Sequence, residues 1–423
     1  MIFFARGSRS DILKLDDIQQ GLFSALDKLG SRRKVLAIPP DFSRIHSQAG
    51  ILTRMTWEYY GQQLTDILPA IGTHAPMTSR EILAMFGDIP QTLFRVHHWR
   101  KELISLGEVP ADYVSEISEG KVNYRWPVQV NKLLQEGKFD LILSLGQVVP
   151  HEVIGMANYN KNILVGTGGP ESIHKSHFLG AVYGMERIMG KIDNPVRRLL
   201  NYAAAHFLRD FPIIYVLTVI DRSESGELVM RGLFIGDDEE CFIQAARLSL
   251  EVNFKVLDKP LKKVVVYLDP QEFKSTWLGN KSIYRTRMAI ADGGELIVLA
   301  PGVHTFGEDR EIDHLIRQYG YRTTPEILAL VDKNPELQKN LAAAAHLIHG
   351  SSENRFTITY CPGGLSEPEI RQVYFNFADL LKMLKKYRPE KLHEGLNILP
   401  DREEIFFISN PALGLWAAKE KLQ

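Results

Sequence analysis

Val35-Leu36-Ala37-Ile38-Pro39-Pro40-Asp41-Phe42-Ser43-Arg44 runs a short apolar, β-branched segment into a turn that carries charge. Four apolar residues bounded by turn signals read as a fully buried strand, the kind found in parallel sheets covered on both faces. The polar residues then fall just past the strand's carboxyl end, where open α/β sheets gather their ligands. Arg44 could fork onto a carboxylate there with Asp41 orienting it, or the two could simply close the turn.

Similar runs recur at Leu141–Leu145, Ile163–Val165, Ile213–Ile220, Val264–Leu268 and Leu296–Leu299. Amphipathic stretches such as Trp57–Leu68 and Ser79–Phe86 lie between them and read as helices. Strands alternating with helices predict an α/β fold with parallel or mixed sheets covered by helices. A length of 423 residues exceeds what one core usually organises, so two domains are expected, 1–250 and 251–423. The active site is expected in the cleft between them. Leu228–Ile235 reads as an antiparallel edge strand, Glu239–Phe254 as a helix, Tyr321–Leu347 as helices and Ile370–Leu384 as one more. The tail from Ile405 could return to either domain.

Composition removes several function classes. Hydrophobic residues at 45%, charged residues at 24% and a net charge of −1 leave no long-range field for nucleic acid or anionic lipid. No apolar run approaches a bilayer span. The opening Met-Ile-Phe-Phe-Ala-Arg is too short for a signal peptide and reads as a strand, so the cytoplasm is the expected location. Cys241 and Cys361 form neither a CxxC nor a disulfide framework. A phosphate-binding P-loop is missing, and so is a GxSxG elbow. His151-Glu152 opens an HExxH, but Gly155 stands where the second histidine would be.

What remains is histidine and lysine concentrated at turns. Gly72-Thr73-His74 precedes Thr78-Ser79 and Glu81, a helix start, so His74 sits on a loop entering a helix. Pro150-His151 follows a predicted strand. Lys161 precedes the Ile163–Val165 run and is either a snorkelling edge residue or a reactive amine. Gly166, Gly168 and Gly169 then have the setting of a phosphate-binding turn, although Glu171 occupies a glycine position of the dinucleotide fingerprint. His174 and His177 would share one face of a helix, as metal ligands often do. His97 and His98 point to opposite faces of an extended segment, and neither they nor His174 receive a role.

Taken together the spacing resembles the nickel-dependent lactate racemase superfamily. Its pattern is an Asp-x-Thr-Arg turn, then Gly-Thr-His, then Pro-His with a lysine ten residues later and a histidine sixteen beyond that. Here the matching residues are Asp41 to Arg44, Gly72 to His74, Pro150-His151, Lys161 and His177. A second-domain lysine before a Gly-Gly strand is matched by Lys281 ahead of Gly293-Gly294. The resemblance implies a nickel-pincer nucleotide, the nickel complex of pyridinium-3,5-bisthiocarboxylic acid mononucleotide, made by dedicated biosynthesis enzymes. Lys161 would hold it covalently through a thioamide and His177 would ligate nickel. His74 and His151 would flank C2 of a 2-hydroxy acid, and Arg44 and Lys281 would bind its carboxylate beside Asp41 and Ser43.

The implied reaction inverts C2 by removing hydride and a hydroxyl proton, then returning hydride to the other face. Three positions depart from the family. Its Gly-Phe-Ser-Gly-Gly before the lysine is here Gly155-Met156-Ala157-Asn158-Tyr159-Asn160, Ser43 replaces threonine, and Leu278 stands where lactate racemase has glutamine. Asn158, Tyr159 and Asn160 would add polar groups near the reacting centre, which points to a sugar acid such as an aldonate. Two other readings compete: a zinc hydrolase or isomerase built on the histidines, and a cofactor-free carboxylate-binding paralogue.

Overall fold

The structure of the chain is a computed structural model that describes residues 1–223 and 226–422. It divides into two compact units, one comprising Met1–Leu179 with Arg187–Asn253, the other Gly180–Glu186 with the chain from Phe254 onward. Among the described residues no helix is long and apolar enough to cross a membrane. Cys241 and Cys361 are both buried free thiols.

Among the described residues the first unit has ten strands: β1 (Ile2–Gly7), β2 (Val35–Ile38), β3 (Leu64–Ile67), β4 (Leu103–Val109), β5 (Trp126–Asn131), β6 (Leu141–Gln147), β7 (Pro150–His151), β8 (Gly155–Met156), β9 (Ile213–Arg222) and β10 (Leu228–Gly236). Six of them form one sheet in the order β1-β10-β9-β6-β2-β3. From β9 to β3 the pairing is parallel, and β10 is antiparallel to both β9 and β1. Val35, Ala37, Leu141, Leu143, Leu145 and Val216 pack into a core with Leu22 and Leu26 of the helix Leu15–Leu29 and Leu52 of the helix Ala49–Tyr60. Leu36, Ile38 and Ile142 alternate with them and are also buried. Burial on both faces is why these strands read as unbroken apolar runs, each buried Leu or Val adding about 1.5–3 kcal/mol.

The second unit has a six-stranded sheet of β12 (Leu261–Tyr267), β13 (Ile290–Ala300), β14 (Thr357–Pro362), β15 (Asn376–Phe377), β16 (Gly395–Ile398) and β17 (Glu404–Ile408), ordered β15-β14-β13-β12-β17-β16. All its pairs are parallel except β16 with β17. β11 (Phe254–Leu257) pairs in parallel with β18 (Leu415–Ala418), so the end of the chain stays with this unit.

Four expectations about local structure are corrected. The helix expected over Trp57–Leu68 stops at Tyr60 because Gly61 takes φ 52°, and Leu64–Ile67 becomes β3. The run Ile163–Val165 is not a strand, since Ile163 and Leu164 end the helix Asn160–Leu164 and Val165 caps it; three buried apolar residues carry no periodicity to decide the matter. Leu228–Ile235 is not an edge, since β1 covers its outer side. Ile370–Leu384 is two helices, Glu367–Gln372 and Leu380–Tyr387, separated by Tyr374 at φ 69° and by β15.

Candidate active site

Across the parallel part of the first sheet the order is β3-β2-β6-β9. From β2 the chain moves outward to β3, then returns to the other side of β2 to make β6. The loops leaving β2 and β6 therefore diverge, opening the crevice in which α/β sheets bind ligands. Three adjacent strand ends lead into it: β2 into Asp41–Arg44, β3 into the loop carrying His74, and β6 into His151.

Backbone bonds carry the strand alignment into the loops. Leu68 N donates to Ala37 O at 2.9 Å and Ala70 N to Pro39 O at 2.8 Å. Gly72, at φ 56°, makes the turn toward His74 that a side chain would strain. Its N–H donates to Gly166 O at 2.9 Å, tying the histidine loop to the segment just past Lys161. The expected helix Ser79–Phe86 follows, started by Thr78 and Glu81 in a reciprocal cap.

His74 Nδ1 lies 2.6 Å from Asp41 Oδ2, and the Ser43 hydroxyl donates to Asp41 Oδ1 at 2.6 Å. Asp41 is buried, which would raise its pKa. The charge and hydrogen bond of His74, the Ser43 hydroxyl and the Arg44 charge outweigh burial and hold the carboxyl below its ordinary range. An ionised Asp41 fixes the proton of a neutral His74 on Nδ1 and leaves the lone pair on Nε2. With 27% of its side chain exposed, His74 can meet a ligand. Asp41 was expected to touch substrate; its carboxylate is instead engaged by His74 and Ser43.

His151 is more enclosed, its side chain 5% exposed. Its Nδ1 accepts the backbone N–H of Val153 at 3.1 Å, and Glu152 Oε2 lies 3.6 Å from the same nitrogen.

Lys161 lies in the helix Asn160–Leu164. Asn162 Nδ2 donates to Ile38 O at 2.9 Å and Ser144 Oγ at 3.0 Å, which pins this helix to β2 and β6 where the loops diverge. Lys161 keeps some contact with solvent. Even so, desolvation above all, then the Arg44 charge, draws its pKa down to about 8; Glu152 and Asp41 oppose the shift and Arg197 adds to it. Lys161 thus feels residues from both diverging loops, and its amine is substantially neutral in mildly basic water.

Asn158 and Tyr159, three and two residues before Lys161, have φ 66° and 60°. A positive φ at residues other than glycine stores some backbone strain. Buried Arg197 supports this segment, its guanidinium donating to Met156 O at 2.6 Å, Asn160 Oδ1 at 2.5 Å and, at longer range, Asn158 O. Arg197→Met should leave those acceptors unsatisfied and cost about 2–4 kcal/mol in chemical denaturation. A loss under about 1 kcal/mol would mean the segment holds itself. Asn160 also donates to Asn201, and the Tyr159 ring stacks on Phe242 at 5.1 Å and leans on Tyr215. Asn160 and Tyr159 therefore serve the interior, which removes two of the three side chains that suggested a polyhydroxylated substrate.

His177 lies in the helix Pro170–Tyr183. Its Nδ1 donates to Ile173 O at 2.8 Å, which places the lone pair on Nε2. Among the described residues no group of three or more His, Cys, Asp or Glu could hold a metal ion. A metal on His177 would take its remaining donors from outside that set, and an organic sulfur–carbon chelate would supply them. The donor chemistry of His177 and the low-pKa amine of Lys161 fit such a group.

The glycine turn does not form a phosphate cradle. Its amides are spent internally: Gly166 N on Lys161 O, Thr167 N on Ile163 O, Gly168 N on Val165 O and Gly169 N on the Ser172 hydroxyl. Glycine is needed for room, since a Cβ would come within 2.4 Å of Asn162 O at Gly166, 2.3 Å of Leu164 O at Gly168 and 2.4 Å of Gln129 Oε1 at Gly169. His97 has a structural place. Its Nε2 donates to Gly168 O and its Nδ1 accepts from Asn131, and burial lowers its pKa to about 4. His98 is exposed, and His174 lies edge-on to Trp99 at 6.2 Å.

Lys281 belongs to the second unit, in the short helix Lys281–Tyr284. It is 5% exposed, with Nζ 5.4 Å from the centre of the Phe273 ring. Sequence reasoning missed Asn162, Arg197 and Glu152. Glu152 was visible beside His151 but was set aside with the failed zinc motif; the other two carry no local signal.

Residues 23–187 match the lactate racemase N-terminal domain. A lactate racemase from Thermoanaerobacterium thermosaccharolyticum is 28% identical over 245 residues, 55% of this chain and 51% of that protein, so the match spans about half the length of the curated relative. A crystal structure of a Thermotoga maritima protein from the Northeast Structural Genomics Consortium aligns with a TM-score of 0.84 and 25% identity, covering 97% of this chain and all of the other. The lactate racemase apoprotein of T. thermosaccharolyticum has the same fold, with a TM-score of 0.70 at 17% identity over 98% of this chain and 94% of the other. Residues 23–187 thus resemble the lactate racemase N-terminal domain and the whole chain shares the fold of the lactate racemase apoprotein, at an identity low enough to fit a protein other than lactate racemase itself.

Proposed function

We propose that the chain is a racemase or epimerase that inverts C2 of a 2-hydroxy acid, with Lys161 and His177 holding a nickel-pincer nucleotide. The observation that carries this reading is the gathering of the Asp41–His74 pair, His151 and a low-pKa Lys161 at the loops leaving three neighbouring parallel strands. When bound, the pincer would supply the hydride acceptor. His74 Nε2 takes the hydroxyl proton, and ionised Asp41 stabilises the imidazolium that results. His151 serves the C2 oxygen from the opposite side. Arg44 binds the substrate carboxylate. Lys161, whose amine is partly neutral, would be the residue that holds the pincer, through a thioamide.

A zinc hydrolase would need three protein ligands, and the described residues offer no such group. A cofactor-free binding protein would have no use for a desolvated lysine amine. The substrate class stays at 2-hydroxy acids, with aldonates one arm of the screen.

The test is co-expression with pincer-biosynthesis enzymes, intact-mass measurement, and chiral chromatography of C2-deuterated hydroxy acids. Mass added at Lys161, and inversion with deuterium kept at C2, are expected. Deuterium lost to solvent during inversion would overturn hydride transfer. His177→Ala should lower bound nickel at least about ten-fold, because even the residues behind a metal ligand cost 10–100-fold. Its folding should be unchanged, the side chain being only partly buried. Full nickel retention would remove His177 as the ligand.

A further inference from the structure

We infer that the two histidines are held in opposite tautomers, and that Glu152 is the positioning residue through which His151 changes from hydrogen-bond donor to base. The inference deepens the proposed racemase reading and rests on it for its catalytic meaning.

Each imidazole's proton is placed by the group behind it. Behind His74 stands a carboxylate, Asp41 Oδ2 at 2.6 Å, which can only accept. Neutral His74 therefore carries Nδ1–H and offers its Nε2 lone pair. Behind His151 stands a backbone donor, Val153 N–H at 3.1 Å, which can only donate. Neutral His151 therefore accepts on Nδ1 and carries its proton on Nε2. At rest the pair consists of one base and one donor.

Inversion in both directions asks each histidine to act as a base in turn. For His151 Nε2 to accept a proton, Nδ1 must become protonated and point at an acceptor instead of Val153 N–H. Glu152 Oε2, 3.6 Å from Nδ1 with its side chain 13% exposed, is placed to be that acceptor after a small ring movement. In sequence terms, the acidic residue that follows Pro150-His151 gives His151 a second setting that Val153 alone would deny it. The Asp41–His74 pair has no such alternative.

The tautomers can be read directly by long-range proton–nitrogen correlation of imidazole-labelled protein, without cofactor, at about pH 8.5 where imidazoles are neutral. The unprotonated ring nitrogen resonates far downfield of the protonated one. His74→Asn and His151→Asn proteins assign the signals. The downfield nitrogen is expected to be Nε2 for His74 and Nδ1 for His151. In Glu152→Gln the carboxylate acceptor is gone, so the Nδ1 signal of His151 should move further downfield as residual Nδ1–H is lost. A protonated Nδ1 in the wild-type His151, or no movement in Glu152→Gln, would overturn the inference. Because no cofactor or substrate is present, failure of the racemase reading leaves this measurement interpretable. Conversely, deuterium-retaining inversion with identical tautomers would overturn only the asymmetry.

Discussion

The Asp41→Asn protein is expected to lose about 10³–10⁴-fold of its turnover while keeping its fold, the size of loss seen when an orienting aspartate behind a catalytic histidine becomes an amide. The hydrogen bonds dictate the outcome. The Ser43 hydroxyl donates to Oδ1, so an asparagine would keep its carbonyl oxygen there and turn its NH₂ toward His74. That NH₂ can only donate, so Nδ1 of His74 would have to accept and its proton would move to Nε2. The base would then face the substrate with a proton already on it. A second effect adds to this, since no ionised carboxylate would remain to stabilise the imidazolium. Asp41→Asn combined with Ser43→Ala frees the amide to turn over, and should recover part of the lost rate. Steady-state kinetics on the inverted hydroxy acid checks both. Turnover within ten-fold of wild type in Asp41→Asn would show that Asp41 does not set the proton on His74.

The strands of the parallel sheet were legible because burial on both faces leaves unbroken apolar runs, and Val35–Ile38 matches its run residue for residue. The loops after them were legible as a candidate site because chemistry-bearing residues past a strand's carboxyl end have a limited set of purposes. Lys281, nine residues before β13, was flagged by family spacing and by nothing local. What failed was direction within short segments. Ile163–Val165 has no period to separate strand from helix, and that error made the following glycines look like a strand-to-helix phosphate turn. Asn158 and Tyr159 looked like added polar groups, yet their positive φ marks them as backbone positions of a kind that favours glycine. Arg197 and Asn162 act across 41 and 124 residues of sequence, on Met156 O and Ile38 O, a distance at which a single sequence gives no pairing signal.

Lys161→Met is expected to make the cofactor-free protein more stable at pH 7 by about 1–3 kcal/mol, even as it removes the attachment point. The amine's pKa is about 8 in the folded chain against an ordinary 10.5. Below pH 8 it is charged in both states, and the folded state bears the whole cost of desolvating it. Between pH 8 and 10.5 the unfolded chain binds more protons than the folded one, so stability rises with pH. Above 10.5 the amine is neutral in both states and the cost is gone. The full shift corresponds to about 3 kcal/mol, and the solvent the side chain still touches brings the expected value lower. Methionine is unbranched and of similar length, so it fills the same space without the charge. Hydrogen exchange of the β6 amides, which sit in the core of the first unit, reads its global opening at pH 7 and at pH 10. The advantage of Lys161→Met should be clear at the lower pH and cut to about a quarter of that at the higher. If it is absent at both, the amine is well solvated, and a covalent role for Lys161 loses its physical basis. A lysine that destabilises the fold it sits in is one retained for its reactivity.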